Sequence, residues 1–176
     1  MKKGVLLGLT LTGVVLTASK PAVADPAPFG LEVGQATISQ MQEKYTARET
    51  GINSYSHGKM YELPTRQLGV SELKEATAIF DVQGKLVAIL LTLPKHKFDS
   101  TLSALKQKYR LIEQQIPFVG NKKAVLKDGD TEITLTAPHM SFEMELNYIN
   151  NDFYQAYLKK SREEKAAKRA QEASQL

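Results

Sequence analysis

Three histidines, His57, His96 and His139, are the first groups to weigh as metal ligands or proton carriers. No two stand at HxH or HxxxH spacing, so no single strand or helix presents two imidazoles to one ion. His57 falls in the turn Ser56-His57-Gly58, and His96 lies between Lys95 and Lys97, whose charges repel a cation. His139-Met140 with Met144, and His57 with Met60, offer imidazole and thioether, a ligand set suited to Cu(I). Met144 belongs to the expected buried face of a strand, however, so a turn histidine beside a core methionine is the preferred account. No metal and no cofactor is expected.

Nucleophilic catalysis needs a hydroxyl or thiol beside a base and an orienting group. Ser71-Glu72-Leu73-Lys74 matches S-x-x-K literally, but the accompanying SDN and KTG motifs are missing, and no G-x-S-x-G occurs. Glu143 and Glu145 share one strand face among polar neighbours, a solvated arrangement rather than a glycosidase pair. Neither G-x-G-x-x-G nor a phosphate loop is present. The chain contains no cysteine, which removes thiol catalysis, thiolate metal sites and a disulfide framework together. The expectation is therefore a chain that is not an enzyme. Tyrosines remain as amphipathic contact residues. Tyr148 continues a buried alternation, whereas Tyr55 and Tyr61 flank the Ser56-His57-Gly58 turn and are expected as exposed contacts.

The elements that position these groups can be read from hydrophobic period. Thr37-Ile38-Ser39-Gln40 fits a capping box, and Ile38, Met41 and Tyr45 follow on one helical face, predicting a helix over about 37–47. A second helix, capped by Asp99 or Ser100, repeats the first: TISQMQEKY and TLSALKQKY agree at every apolar position. Lys59–Leu63, Ala76–Val82 and Leu86–Leu93 read as strands after the first helix, with Gln83-Gly84 as a hairpin turn. Ala124–Lys127, Thr131–Ala137 and Phe142–Tyr148 read as strands after the second, the last two with a polar outer face. Leu86–Leu93 is apolar on both faces, which predicts a central, doubly covered strand; the alternative, a self-association surface in a homo-oligomer, stays open. Ser71–Glu75 fits either a helical turn or a strand start. The fold class is α+β: two similar α-βββ halves, about 29–93 and 97–158, form one antiparallel sheet with helices on one face.

From Asn151 a third helix is expected, with Phe153, Tyr154, Tyr157 and Leu158 docking on the body. Beyond it, residues 159–176 form a charged helical tail with nothing large to bury.

Lys2 and Lys3, the uncharged apolar run Gly4–Ala18 and the small-x-small sequence Ala22-Val23-Ala24 make a secretory signal peptide, expected to be cut between Ala24 and Asp25. The apolar run is short of the ~20 residues a spanning helix needs, so no membrane insertion is expected after cleavage. Asp25–Pro28 reads as a flexible lead-in. The 23 basic and 19 acidic residues fall to 20 and 19 once Lys2, Lys3 and Lys20 are removed, a net +1. Lys159, Lys160, Arg162, Lys165, Lys168 and Arg169 against Glu163, Glu164 and Glu172 concentrate the excess in the tail, leaving 25–158 at −2. Nucleic-acid binding has no electrostatic warrant in such a chain.

Pro28–Gly34 (PFGLEVG), Ile79–Leu86 (IFDVQGKL) and Leu105–Tyr109 (LKQKY) resemble a pattern in small uncharacterised periplasmic proteins of Gram-negative bacteria. More distantly, the helix-then-strands duplication is similar to the β-lactamase-inhibitor-protein type of fold and to the small lipoprotein of the outer-membrane assembly machine. This chain lacks that lipoprotein's lipidated Cys, so tethering does not carry over. The resemblance implies protein binding. The expected function is a periplasmic binding or accessory domain contacting another envelope protein. Tyr55, His57 and Tyr61, and the sheet face Glu132, Thr134, Thr136, Glu143 and Glu145, are the candidate partner-binding residues. The alternatives are a small-ligand or metal-binding protein and, behind it, a hydrolase with a deep polar pocket.

Overall fold

A computed structural model describes residues 25–175; the expected signal peptide, including Ala24, lies outside the described residues. Thr37 starts the first helix as its sequence demands. Its hydroxyl accepts from the Gln40 N–H at 3.3 Å, and the Gln40 side chain accepts from the Thr37 N–H at 2.9 Å, closing the capping box. The helix, α1, covers Ile38–Lys44 and buries Met41. The second helix, α2, covers Phe98–Lys106 and buries Phe98, Leu102 and Leu105. It begins a turn earlier than the repeat predicts because Phe98 is drawn into the core. Neither Asp99 nor Ser100 caps it: Lys97 holds the cap position without a side-chain bond, and the Ser100 hydroxyl donates to the Lys97 carbonyl.

Each helix leads into a four-stranded meander. The first comprises β1 (Arg48–Ile52), β2 (His57–Glu62), β3 (Glu75–Asp81) and β4 (Leu86–Pro94). The second comprises β5 (Arg110–Gln115), β6 (Lys122–Asp128), β7 (Thr131–Ala137) and β8 (Glu143–Asn150). The meanders join through an antiparallel β4–β8 pair, giving one eight-stranded sheet in the order β1-β2-β3-β4-β8-β7-β6-β5. The expected duplication is thus present, but each half has four strands rather than three. The two additions, β1 and β5, occupy equivalent places at the two edges. Residues 71–75 resolve into a turn at Ser71-Glu72 followed by the start of β3 at Glu75.

One face of the sheet carries the larger core. Met41 from α1 and Phe98, Leu102 and Leu105 from α2 join Ile89, Leu91, Ile133, Leu135, Met144 and Leu146 in a single buried cluster. On the reverse face Ile79, Val87 and Ala88 form a second cluster, covered by Phe153. That phenylalanine belongs to α3 (Asn151–Ala173), whose first N–H groups are met by the Asn150 side chain. The apolar strand β4 is therefore central and covered on both faces, by α1 and α2 on one side and α3 on the other. No helix among the described residues is long and apolar enough to cross a membrane.

The lead-in is anchored rather than loose. Asp25 bonds to the β6–β7 turn, Pro26 is buried, and the Pro26 carbonyl accepts from Val33. Leu31 and Val33 enter the core, so the PFGLEVG run is structural. The IFDVQGKL run is structural too. The Asp81 carboxylate accepts from the Gln83 and Lys85 N–H groups, and the Gly84 carbonyl accepts from Ile38, fastening the β3–β4 hairpin to the start of α1.

Candidate functional site

The expected contact residues separate into two places. Glu132, Thr134, Thr136, Glu143 and Glu145 do share the reverse face of the sheet. Thr136 pairs with Glu145 and Thr134 with Asn147, while Glu143 is held by Lys74 at 2.6 Å. Tyr55, His57 and Tyr61 do not form an exposed group. Tyr61 is only 3 % exposed and is a core residue, which corrects its expected role. Its ring meets Phe80 edge-on at 5.7 Å, and its hydroxyl donates to Glu49 at 3.3 Å. Burial, above all, pushes that hydroxyl's pKa up. Tyr55 is half-buried against α3, edge-on to Tyr157 at 4.8 Å, with the Lys160 ammonium 5.3 Å from its ring. Of the three, His57 alone is exposed.

The groups singled out for chemistry are engaged elsewhere. His96 and Lys97 both face Glu72, at 3.4 and 2.9 Å. The Lys97 hydrogen bond is the main reason the Glu72 carboxyl sits below its ordinary pKa. Lys74 turns to Glu143 rather than to Ser71. Met144 is fully buried while Met140 is 91 % exposed, so the imidazole and thioethers around His139 do not converge. Among the described residues no group of three or more His, Asp or Glu side chains is placed to hold a metal ion.

A different surface stands out at the end of the sheet where β5 meets β6 and β7 meets β8. The two connections, residues 116–121 and 138–142, lie side by side: the His139 N–H donates to the Asn121 side chain at 2.7 Å. Lys95 braces them from the β4–α2 connection. Its ammonium donates to the carbonyls of Pro138 and His139, and its backbone N–H to Phe142. On this braced platform Phe118 is wholly exposed, Phe142 is 92 % exposed, and Met140 and Val119 stand beside them in the sequence. Apolar exposure on that scale is unusual and marks interaction surfaces.

Alternation places Phe142 on the buried side of its strand, and the structure overturns that. β4 ends at Pro94, opposite Glu143, and the chain then turns into α2. Residue 142 therefore has no neighbouring strand to extend the core over it, and Phe98 closes the core at this end. Phe142 was hidden from sequence reasoning for that reason; the trace of this surface in the sequence is Phe118-Val119, two apolar residues in a Pro-Gly loop.

Comparisons with protein-family models, with curated proteins and with solved structures find no match for this chain.

Proposed function

We propose that the chain is exported, loses its first 24 residues and works in the periplasm as a non-enzymatic binding or accessory domain. It docks onto another envelope protein through the tips that carry Phe118, Val119, Met140 and Phe142. The observation that carries this reading is the exposure of both phenylalanines on loops that hydrogen bonds hold in place. A preformed apolar surface binds without the cost of ordering a mobile segment. Covering one such phenylalanine is worth about 1.5–3 kcal/mol, so two of them suffice as the hot spot of a contact. A binding role also agrees with the engagement of His96, Lys74 and Met144 in the scaffold.

Photo-reactive residues placed singly at 118 and 142 of the full chain, in its own cells, test the reading. Each is expected to give one adduct with a second envelope protein, while positions 134 on the sheet and 167 on α3 give none. Adducts from position 134 alone would move the contact to the sheet face. Adducts only with a second copy of the chain, or none from any position, would end the proposal.

A further inference from the structure

The two copies of the helical repeat close on the same dipeptide, Lys44-Tyr45 and Lys108-Tyr109, yet their donors meet different fates. In the first copy the Lys44 ammonium donates to the Gly30 carbonyl at 2.5 Å and the Tyr45 hydroxyl to the Phe29 carbonyl at 2.8 Å. Two oxygens of the lead-in thus satisfy the pair. In the second copy Lys108 and Tyr109 find no acceptor among the described residues. Both instead line a groove of about 440 Å³ beneath α2, a volume within the range of small-molecule sites.

The groove has the remaining features of a ligand site. Its walls are Leu91 and Leu93 of β4, Leu146 of β8 and Leu105 of α2. Tyr148 also lines it and is only 7 % exposed; no buried side-chain nitrogen or oxygen among the described residues lacks a partner, so its unbonded hydroxyl reaches solvent. Its ring meets Tyr109 edge-on at 6.2 Å, and both tyrosines line the groove. Burial first, and the nearby Asp128 carboxylate second, raise the Tyr109 pKa. An ammonium and two hydroxyls beside a leucine wall call for a ligand with paired acceptor oxygens, negative charge and an apolar body.

We propose that this groove binds a single-chain amphipathic carboxylate of the fatty-acid class. Its head replaces, on Lys108, Tyr109 and Tyr148, the kind of oxygen pair that the lead-in supplies to Lys44 and Tyr45. Its chain lies along the four leucines. Lys108 and Ala104 are both exposed on the rim, so each can be changed without disturbing the core.

Calorimetric titration of the full chain with sodium dodecanoate, below its micelle concentration, tests the assignment. Saturable binding at one site is expected, with dodecyltrimethylammonium chloride binding at least about tenfold more weakly because it lacks the acceptor oxygens. Lys108→Gln is expected to weaken dodecanoate about tenfold and leave the cationic amphiphile unaffected. Ala104→Trp, which fills the groove, is expected to abolish binding with the melting temperature unchanged. Equal affinity for the two head groups in the unmodified chain overturns the proposal, as does the absence of saturable binding. A short apolar peptide whose free C-terminal carboxylate displaces dodecanoate at lower concentration would overturn the fatty-acid assignment in favour of a chain terminus.

Discussion

The carboxylate of Asp25 accepts a hydrogen bond from the backbone N–H of Asp130 at 2.6 Å, joining the expected first residue of the processed chain to the β6–β7 turn. The same oxygen accepts from the Thr131 hydroxyl at 3.1 Å. The proposed cleavage after Ala24 would leave this latch whole. Asp25→Ala is expected to lower unfolding free energy by about 1 kcal/mol, and Asp25→Asn, which keeps the acceptor, by less. Urea denaturation of the two variants measures the difference; equal midpoints would show that the bond contributes nothing.

A second prediction concerns the start of β2. A Cβ at Gly58 would lie 2.2 Å from the Phe80 carbonyl oxygen and 2.3 Å from that of Asp81. Both are backbone atoms of the adjacent strand, so relief requires β2 to move off β3. Gly58→Ala should cost about 3 kcal/mol. The neighbouring His57 has φ +57°, a left-handed conformation that suits glycine better. His57→Gly should therefore raise the denaturation midpoint slightly while Gly58→Ala lowers it sharply.

The pH dependence at the alkaline end follows from Tyr148. Burial, with a smaller effect from Tyr109, pushes its hydroxyl well above the ordinary tyrosine range. An acid whose folded pKa is raised favours the native state fully below its unfolded pKa of about 10, and that contribution is lost as pH climbs from there. Melting temperature should fall above about pH 10, and Tyr148→Phe should flatten the fall. In absorbance titration of the native chain, Tyr148 should be the last of the seven tyrosines to ionise, behind Tyr61 and Tyr109, whose pKa values are also raised.

The long C-terminal helix divides into a docked start and a free arm. Phe153 packs on Ile79, Val87 and Ala88, whereas beyond Ser161 the described residues of α3 are exposed. Phe153→Ala should cost about 3 kcal/mol. Ending the chain at Ser161 should lower helicity in circular dichroism yet leave the melting temperature in place. A large drop on truncation would mean that the arm stabilises the body.

The legible parts of the fold share one property: each has an asymmetric environment written into its own residues. Thr37 and Gln40 cap α1 through bonds made within four residues. Thr131–Ala137 alternates because α2 and the core lie on one side of β7 only. Leu86–Leu93 is apolar throughout because both faces of β4 are covered. β1 and β5 were not legible because they are edges, with RETGI and RLIEQQ largely exposed and therefore free of any hydrophobic period. The candidate contact residues were harder still. Tyr55 and Tyr61 flank the same turn, and amphipathic side chains fit a rim or a core equally well. Only the packing of Phe80 against one and Tyr157 against the other separates them.

By itself, then, the sequence determined the α+β class, the duplicated helix-and-hairpin halves, the position of the central strand and the start of the third helix. These follow from local hydrogen bonding and from the period of burial along one element. Tertiary structure decided which aromatics face water and which donors are left without acceptors. Phe142 is exposed because β4 stops opposite Glu143, and Lys108 and Tyr109 differ from Lys44 and Tyr45 because the Phe29 and Gly30 carbonyls of the lead-in reach only the first pair. Both depend on where a distant part of the chain ends or crosses, and no local pattern of residues encodes that.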